Sequence, residues 1–120
     1  MPIKATILCL DDEAPALQLR SMVLQSAGYR VLPATQVEEA MKLFQENQVD
    51  LVISDHLLQG ATGAEVARTM KKLKPQVPIM LLSGLAEIPE GADAVDSFVS
   101  KGQNPADLLL HIDRMLKRSA

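Results

Sequence analysis

The sequence predicts a doubly wound α/β domain, five parallel strands in one sheet with helices covering both faces. Two observations lead there. Short apolar runs rich in branched residues alternate with segments of helical period along the whole 120-residue chain. The strands are apolar nearly throughout, the pattern of strands buried on both faces. Strand–helix alternation of this kind implies right-handed crossovers and hence a parallel sheet.

The first strand is read over residues 3–10, where Ile3, Ile7, Leu8, Cys9 and Leu10 precede an abrupt acidic stretch. A helix opens at Pro15, whose fixed φ suits a first helical turn, carries Leu19, Met22 and Val23 on one face and stops at Gly28. The second strand covers 30–34. Thr35 and Glu38 then have the spacing of a capping box, in which two side chains satisfy each other's free backbone N–H groups, and the helix behind them turns Ala40, Met41, Leu43 and Phe44 inward. The third strand spans 50–54. Thr62 and Glu65 repeat the capping spacing ahead of Val66, Met70 and Leu73, and Pro75 closes that helix. The fourth strand covers 77–82. Residues 84–96 carry Pro89 and Gly91 where a fourth helix belongs, so that helix is expected to be short or irregular. The fifth strand covers 97–100. The last helix follows Asn104 and Pro105 and turns Leu108, Leu109, Ile112, Met115 and Leu116 inward. It ends in Lys117 and Arg118, which suit the negative end of the helix dipole. No repeat, linker or low-complexity stretch divides the chain, so residues 1–120 read as one domain.

Composition narrows the function. Apolar residues make up 48% of the chain but aromatics only 2%, so the core is aliphatic and no aromatic platform for single-stranded nucleic acid is available. A net charge of -3 offers no basic face for a phosphate backbone, and no direct nucleic-acid partner is expected. The one cysteine, Cys9, lies in an apolar run and has no internal partner for a disulfide, in keeping with a reducing compartment and a packing role. The N-terminal apolar stretch is cut short by acids and lacks a cleavage pattern, so a soluble cytoplasmic protein with no membrane partner is expected.

Polar residues stand where the apolar strands end: Asp11, Asp12 and Glu13 after the first, Asp55 after the third, Ser83 after the fourth and Lys101 after the fifth. In open parallel sheets ligands bind outside the carboxyl ends of the strands. In a flavodoxin-like strand order, 2-1-3-4-5, with neighbours about 4.8 Å apart, these side chains converge on one shallow pocket. Two like unit charges about 4 Å apart repel by about 4 kcal/mol at an effective dielectric of about 20, so converging carboxylates call for a cation. Mg2+ suits them, because it takes oxygen ligands, keeps several waters and often binds a substrate phosphate oxygen. Lys101 would add a second positive charge within reach of a phosphoryl group. Alone, Asp11 and Asp12 would read as acids at a helix start; with Asp55 and Lys101 they read as one constellation.

Taken together, these motifs resemble the receiver domains of two-component response regulators over essentially the whole chain. The acidic pair, the stretch Asp55-His56-Leu57-Leu58-Gln59-Gly60-Ala61-Thr62-Gly63, Ser83 with Gly84, Phe98 three residues before the lysine, and Lys101 follow the family's order. The resemblance implies that Asp55 is a nucleophile taking a phosphoryl group from a phosphohistidine or a small donor. It implies Mg2+ held by Asp12 directly, by Asp11 through water, by Asp55 and by the backbone carbonyl of Leu57. Ser83 and Lys101 would contact phosphoryl oxygens. Phe98 would swing inward as a switch and alter the face made by the fourth helix, fifth strand and fifth helix. The implied partners are a sensor histidine kinase or a histidine phosphotransfer protein, with an unnamed protein downstream. Such a domain is a signalling switch that catalyses only its own phosphorylation and dephosphorylation.

Several positions depart from the family pattern. Gly102 stands where a proline in a cis bond is usual, and a cis bond before a non-proline residue costs about 2.5–4 kcal/mol, so the local turn is expected to differ. Gln59 replaces a common loop proline and is expected to loosen the loop. Leu57 and Leu85 occupy positions that tune dephosphorylation in the family; both are apolar, which implies a long-lived phosphorylated state. His56 reads as a partly exposed spacer and His111 as a structural residue of the last helix. The rival from the binding class is a phosphorylation-independent pseudo-receiver acting as a scaffold. An aspartate phosphatase of the haloacid-dehalogenase kind needs a second acid two residues after its nucleophile. Asp55 is followed there by Leu57, and Asp11, although Glu13 is correctly spaced, lacks the matching threonine. A flavodoxin would need a Ser/Thr-rich phosphate loop after the first strand and aromatics to sandwich the ring, and has neither here.

Overall fold

The computed structural model describes residues 3–84 and 94–119. In chain order the elements are β1 (Thr6–Leu10), α1 (Ala14–Ser26), β2 (Arg30–Ala34), α2 (Val37–Glu46), β3 (Leu51–Asp55), β4 (Leu57–Leu58), β5 (Ala61–Thr62), α3 (Gly63–Leu73), β6 (Ile79–Ser83), β7 (Ser97–Ser100) and α4 (Pro105–Ser119). Five strands make one parallel sheet in the order β2-β1-β3-β6-β7. That is the expected order; the labels differ because β4 and β5 form a small antiparallel hairpin of their own. Most of the segment expected to hold a short or irregular fourth helix, residues 85–93, lies outside the described residues.

Successive strand residues point to opposite faces, and because both faces are apolar the sheet builds two cores. Ile7 and Cys9 of β1, Leu51 and Ile53 of β3, and Met80 and Leu82 of β6 meet Leu17 and Leu24 of α1 and Ile112 and Met115 of α4. On the other face Leu8, Leu10, Val52 and Ile79 meet Ala40 and Phe44 of α2 and Val66, Ala67 and Met70 of α3. Each large side chain buried this completely stabilises the fold by about 1.5–3 kcal/mol relative to exposure.

Two helix readings are corrected. In α1 the buried residues are Leu17, Ser21 and Leu24, whereas Leu19 and Met22 are 65% and 58% exposed. This helix carries apolar residues all round, so their spacing does not single out the sheet-facing stripe. The expected Thr35–Glu38 capping box does not form: α2 starts after Gln36 with no side-chain cap, and the backbone N–H of Thr35 donates instead to Glu39 Oε1 at 3.1 Å. The second box forms in part, with the Thr62 side chain capping α3 and a side-chain bond in place of the reciprocal backbone one. Glu65 N–H donates to Thr62 Oγ1 at 3.2 Å, and the Thr62 hydroxyl donates back to Glu65 Oε1 at 3.1 Å. Gly28 ends the first helical unit with φ at +98°, a conformation that glycine adopts without steric penalty.

Candidate functional site

Strand register brings the polar residues together. Leu10 pairs with Ser54, Asp55 with Leu82, and Ser83 with Ser100. Asp11, Asp55, Ser83 and Lys101 therefore all emerge at the same edge of the sheet. One carboxylate oxygen from each of Asp11, Asp12 and Asp55 lies within 4.8 Å of the others. With Ser83, Leu57 and Lys101, Asp12 and Asp55 line an open cleft of about 450 Å³.

The three acids differ in their surroundings. Asp11 has no exposed surface, and both its oxygens are engaged: Oδ1 accepts the Glu13 N–H at 2.9 Å, and Oδ2 pairs with Arg20 at 3.1 Å. Asp12 is exposed on the loop into α1. Asp55 is 5% exposed and accepts a hydrogen bond from Lys101 Nζ at 3.0 Å, while the same ammonium lies 4.0 Å from Asp11 Oδ2. Partial burial pulls Lys101 toward the neutral form. The hydrogen bond it donates to Asp55 and the charges of Asp55, Asp11 and Glu13 outweigh that pull, so its pKa rises above the ordinary lysine value and the group is a full cation. Ser83 is buried at the end of β6, and its carbonyl accepts the Lys101 N–H at 2.9 Å, which ties the ends of β6 and β7 together.

The chain after Asp55 is held tightly. His56 donates its N–H to the Leu82 carbonyl at 2.9 Å and accepts the Gly63 N–H on its own carbonyl at 2.6 Å. A Cβ on Gly63 would collide with the Asp55 carbonyl oxygen and the Leu81 side chain, so only glycine lets α3 start this close to the strand end. Gly60, with φ at +83°, closes the β4–β5 hairpin. His56 is not a partly exposed spacer: it is 6% exposed, because the strand hydrogen bonding continues through it and α3 begins against it, and its Nδ1 has no hydrogen-bond partner among the described residues. His111 has the structural role expected of it, its Nε2 hydrogen-bonded to Ser97 Oγ. Leu57 is 63% exposed at the cleft. Phe98 is half-buried on β7, in register with Leu81 of β6. The peptide bond between Lys101 and Gly102 is trans, and Gln103 N–H closes the turn onto the Ser100 carbonyl at 3.2 Å. Leu85 lies outside the described residues.

Sequence reasoning missed Arg20 as part of this site; Glu13 was read with the acidic pair and Gly63 within the loop after Asp55, but neither the bond from the Glu13 N–H to Asp11 nor the close start of α3 at Gly63 was anticipated. For Arg20 a signal exists: it sits three residues after Leu17 and four before Leu24, on the stripe that those two leucines define.

A family model described as the response regulator receiver domain matches residues 7–113. The chain belongs to this family. The receiver is 30% identical over 120 residues to the phosphate regulon transcriptional regulatory protein PhoB of Pseudomonas aeruginosa, a match covering 95% of this chain and 52% of PhoB. It is 31% identical over 120 residues to the transcriptional regulatory protein YvrH of Bacillus subtilis, covering 96% of this chain and 50% of YvrH. The receiver thus spans about half the length of these relatives. Among solved structures, a CheY-like receiver domain protein from Methanospirillum hungatei superposes with a TM-score of 0.89 at 26% identity, over 96% of this chain and 95% of that one. TrrA of Thermotoga maritima, solved in complex with Mg(2+)-BeF, gives a TM-score of 0.86 at 33% identity, over 92% of this chain and 97% of that one. The acidic pocket of Asp11, Asp12 and Asp55 fits the phosphoacceptor site of such a domain. No helix among the described residues is long and apolar enough to cross a membrane.

Proposed function

We propose that this receiver accepts a phosphoryl group on Asp55, in a phosphorelay that begins at a sensor histidine kinase or a histidine phosphotransfer protein. The observation that carries the reading is the meeting of three carboxylates with one fully charged lysine at the open end of the sheet. Three hard oxygen donors, one of them exposed to solvent, fit a divalent ion that takes carboxylates and keeps some of its water. Asp12 and Asp55 would hold Mg2+ directly, Asp11 through water, and Leu57 through its backbone carbonyl. Bound there, Mg2+ would supply positive charge that offsets both the carboxylates and the phosphoryl oxygens.

A carboxylate oxygen of Asp55 attacks phosphorus in line with the donor. A P–O bond forms, the P–N bond of a phosphohistidine breaks, and its electron pair returns to the imidazole. Lys101, already bonded to Asp55, pairs with a phosphoryl oxygen as charge builds there, and Ser83 donates its hydroxyl to another. Phe98, on the strand that ends in this lysine, would then move inward and change the face that β7 and α4 present to a partner protein. Relatives named as transcriptional regulators support a signalling output. The domain is a switch that catalyses its own phosphorylation and dephosphorylation. The pseudo-receiver reading draws no support from this geometry, because Asp12, Asp55, Ser83 and Lys101 line one cleft.

The test is intact mass after incubation with a small phosphodonor, with and without Mg2+, for the native chain and Asp55→Asn. One Mg2+-dependent phosphoryl adduct on the native chain, absent from Asp55→Asn, is expected. An adduct that persists in the variant, or no adduct on a folded native chain, would sink the proposal. Leu57 offers attacking water no hydrogen bond at the cleft, so Leu57→Asn is expected to shorten the lifetime of the adduct severalfold.

A further inference from the structure

Arg20 has no part in the phosphoryl chemistry, yet it is built into the acidic cluster. Its side chain is only 12% exposed and lies 3.1 Å from Oδ2 of an Asp11 that is wholly buried. A carboxylate that deep is costly without a partner, and the guanidinium supplies one whose charge no accessible pH removes. The remaining Asp11 oxygen is held by the Glu13 N–H at 2.9 Å. Asp11 is therefore satisfied by the protein itself, whereas Asp12 lies exposed on the same cleft.

This arrangement has two opposite consequences. Arg20 neutralises one carboxylate of the three, which favours folding of the acidic site without a metal. The same fixed charge repels any cation arriving among the carboxylates and competes with it for Asp11. We propose that Arg20 is a positioning residue that weakens divalent-cation binding at this site, acting through Asp11, and so makes the receiver's fold independent of Mg2+. The inference rests on the reading of the acidic cluster as a Mg2+ site.

Calorimetric titration with Mg2+, and thermal unfolding followed by circular dichroism with and without Mg2+, test it on the full chain, on Arg20→Met and on Arg20→Lys. Removing a fixed positive charge this close is expected to tighten Mg2+ binding in Arg20→Met by roughly tenfold, equivalent to about 1.4 kcal/mol. Without Mg2+ that variant should unfold at a lower temperature than the native chain, and its midpoint should rise more when Mg2+ is added. Arg20→Lys, which keeps the charge, should stay near the native chain in both measurements. If Arg20→Met does not fold without Mg2+, Arg20→Gln takes its place, retaining a hydrogen-bond donor to Asp11 without the charge. A merely structural arginine would leave Mg2+ binding unchanged or weaker when removed, and that result overturns the role of Arg20 alone. A native chain that binds no Mg2+ overturns the reading of the cluster, and this inference with it.

Discussion

Cys9 lies in the middle of β1 with no exposed surface, and burial pushes its thiol up from 9.0 to about 12, with Arg20 lowering and Asp11 raising it by smaller amounts. The unfolded thiol ionises first, so the folded chain holds more protons across that window. Stability is unaffected below the ordinary thiol value and falls as pH rises from there toward about 12. At pH 8 the folded protein is expected to resist a thiol-specific reagent and to react fully in denaturant; rapid reaction of the folded chain would show that β1 opens locally. Lys101 follows the same sign, its ion pair with Asp55 complete below the ordinary lysine value and lost as pH climbs through the raised one. Most single residues of the site were legible, because a carboxylate, a hydroxyl or an ammonium interrupting a branched apolar run has few structural reasons to be there. Arg20 was not. A charged residue among apolar ones on a helix ordinarily faces water, and only its spacing from Leu17 and Leu24 says otherwise.

At the level of elements, two threonines with identical capping spacing met different fates. Thr62 caps α3 with its side chain and Thr35 makes no such bond to α2. Thr62→Ala should therefore cost about 1 kcal/mol, whereas Thr35→Ala should cost less than about 0.5 kcal/mol, as read from urea unfolding midpoints. Equal losses would mean that the caps rearrange in solution. Gly63, the next residue, starts α3 against the Asp55 carbonyl. Alanine there would ordinarily favour a helix, but the collision with backbone should outweigh that gain, and Gly63→Ala is expected to lose about 1–3 kcal/mol. Helix positions were predictable wherever one face alone is apolar, as in α2 and α3. In α1 the periodicity misled, since Leu19 and Met22 are as apolar as the residues that were buried.

Across the molecule, the sheet separates two apolar compartments that share no helix among the described residues. Ile112→Val on one side should cost about 0.5–1.5 kcal/mol, and Val66→Ala on the other a similar or somewhat larger amount. The double variant should lose their sum to within about 0.5 kcal/mol, and a larger departure would mean that the strands transmit repacking from face to face. The topology was legible because continuous apolar strands leave few alternatives to a parallel sheet covered on both sides. The β4–β5 hairpin was not, being too short to leave a pattern. The register that aligns Leu10 with Ser54 and Asp55 with Leu82 also carries a kinetic consequence. Asp11, Asp55, Ser83 and Lys101 come from four separate stretches of chain, so none of their chemistry exists until loops tens of residues long have closed and the strands between them have paired. Phosphoryl acceptance would thus be among the last properties acquired on refolding, and its recovery a clock for completion of the central sheet.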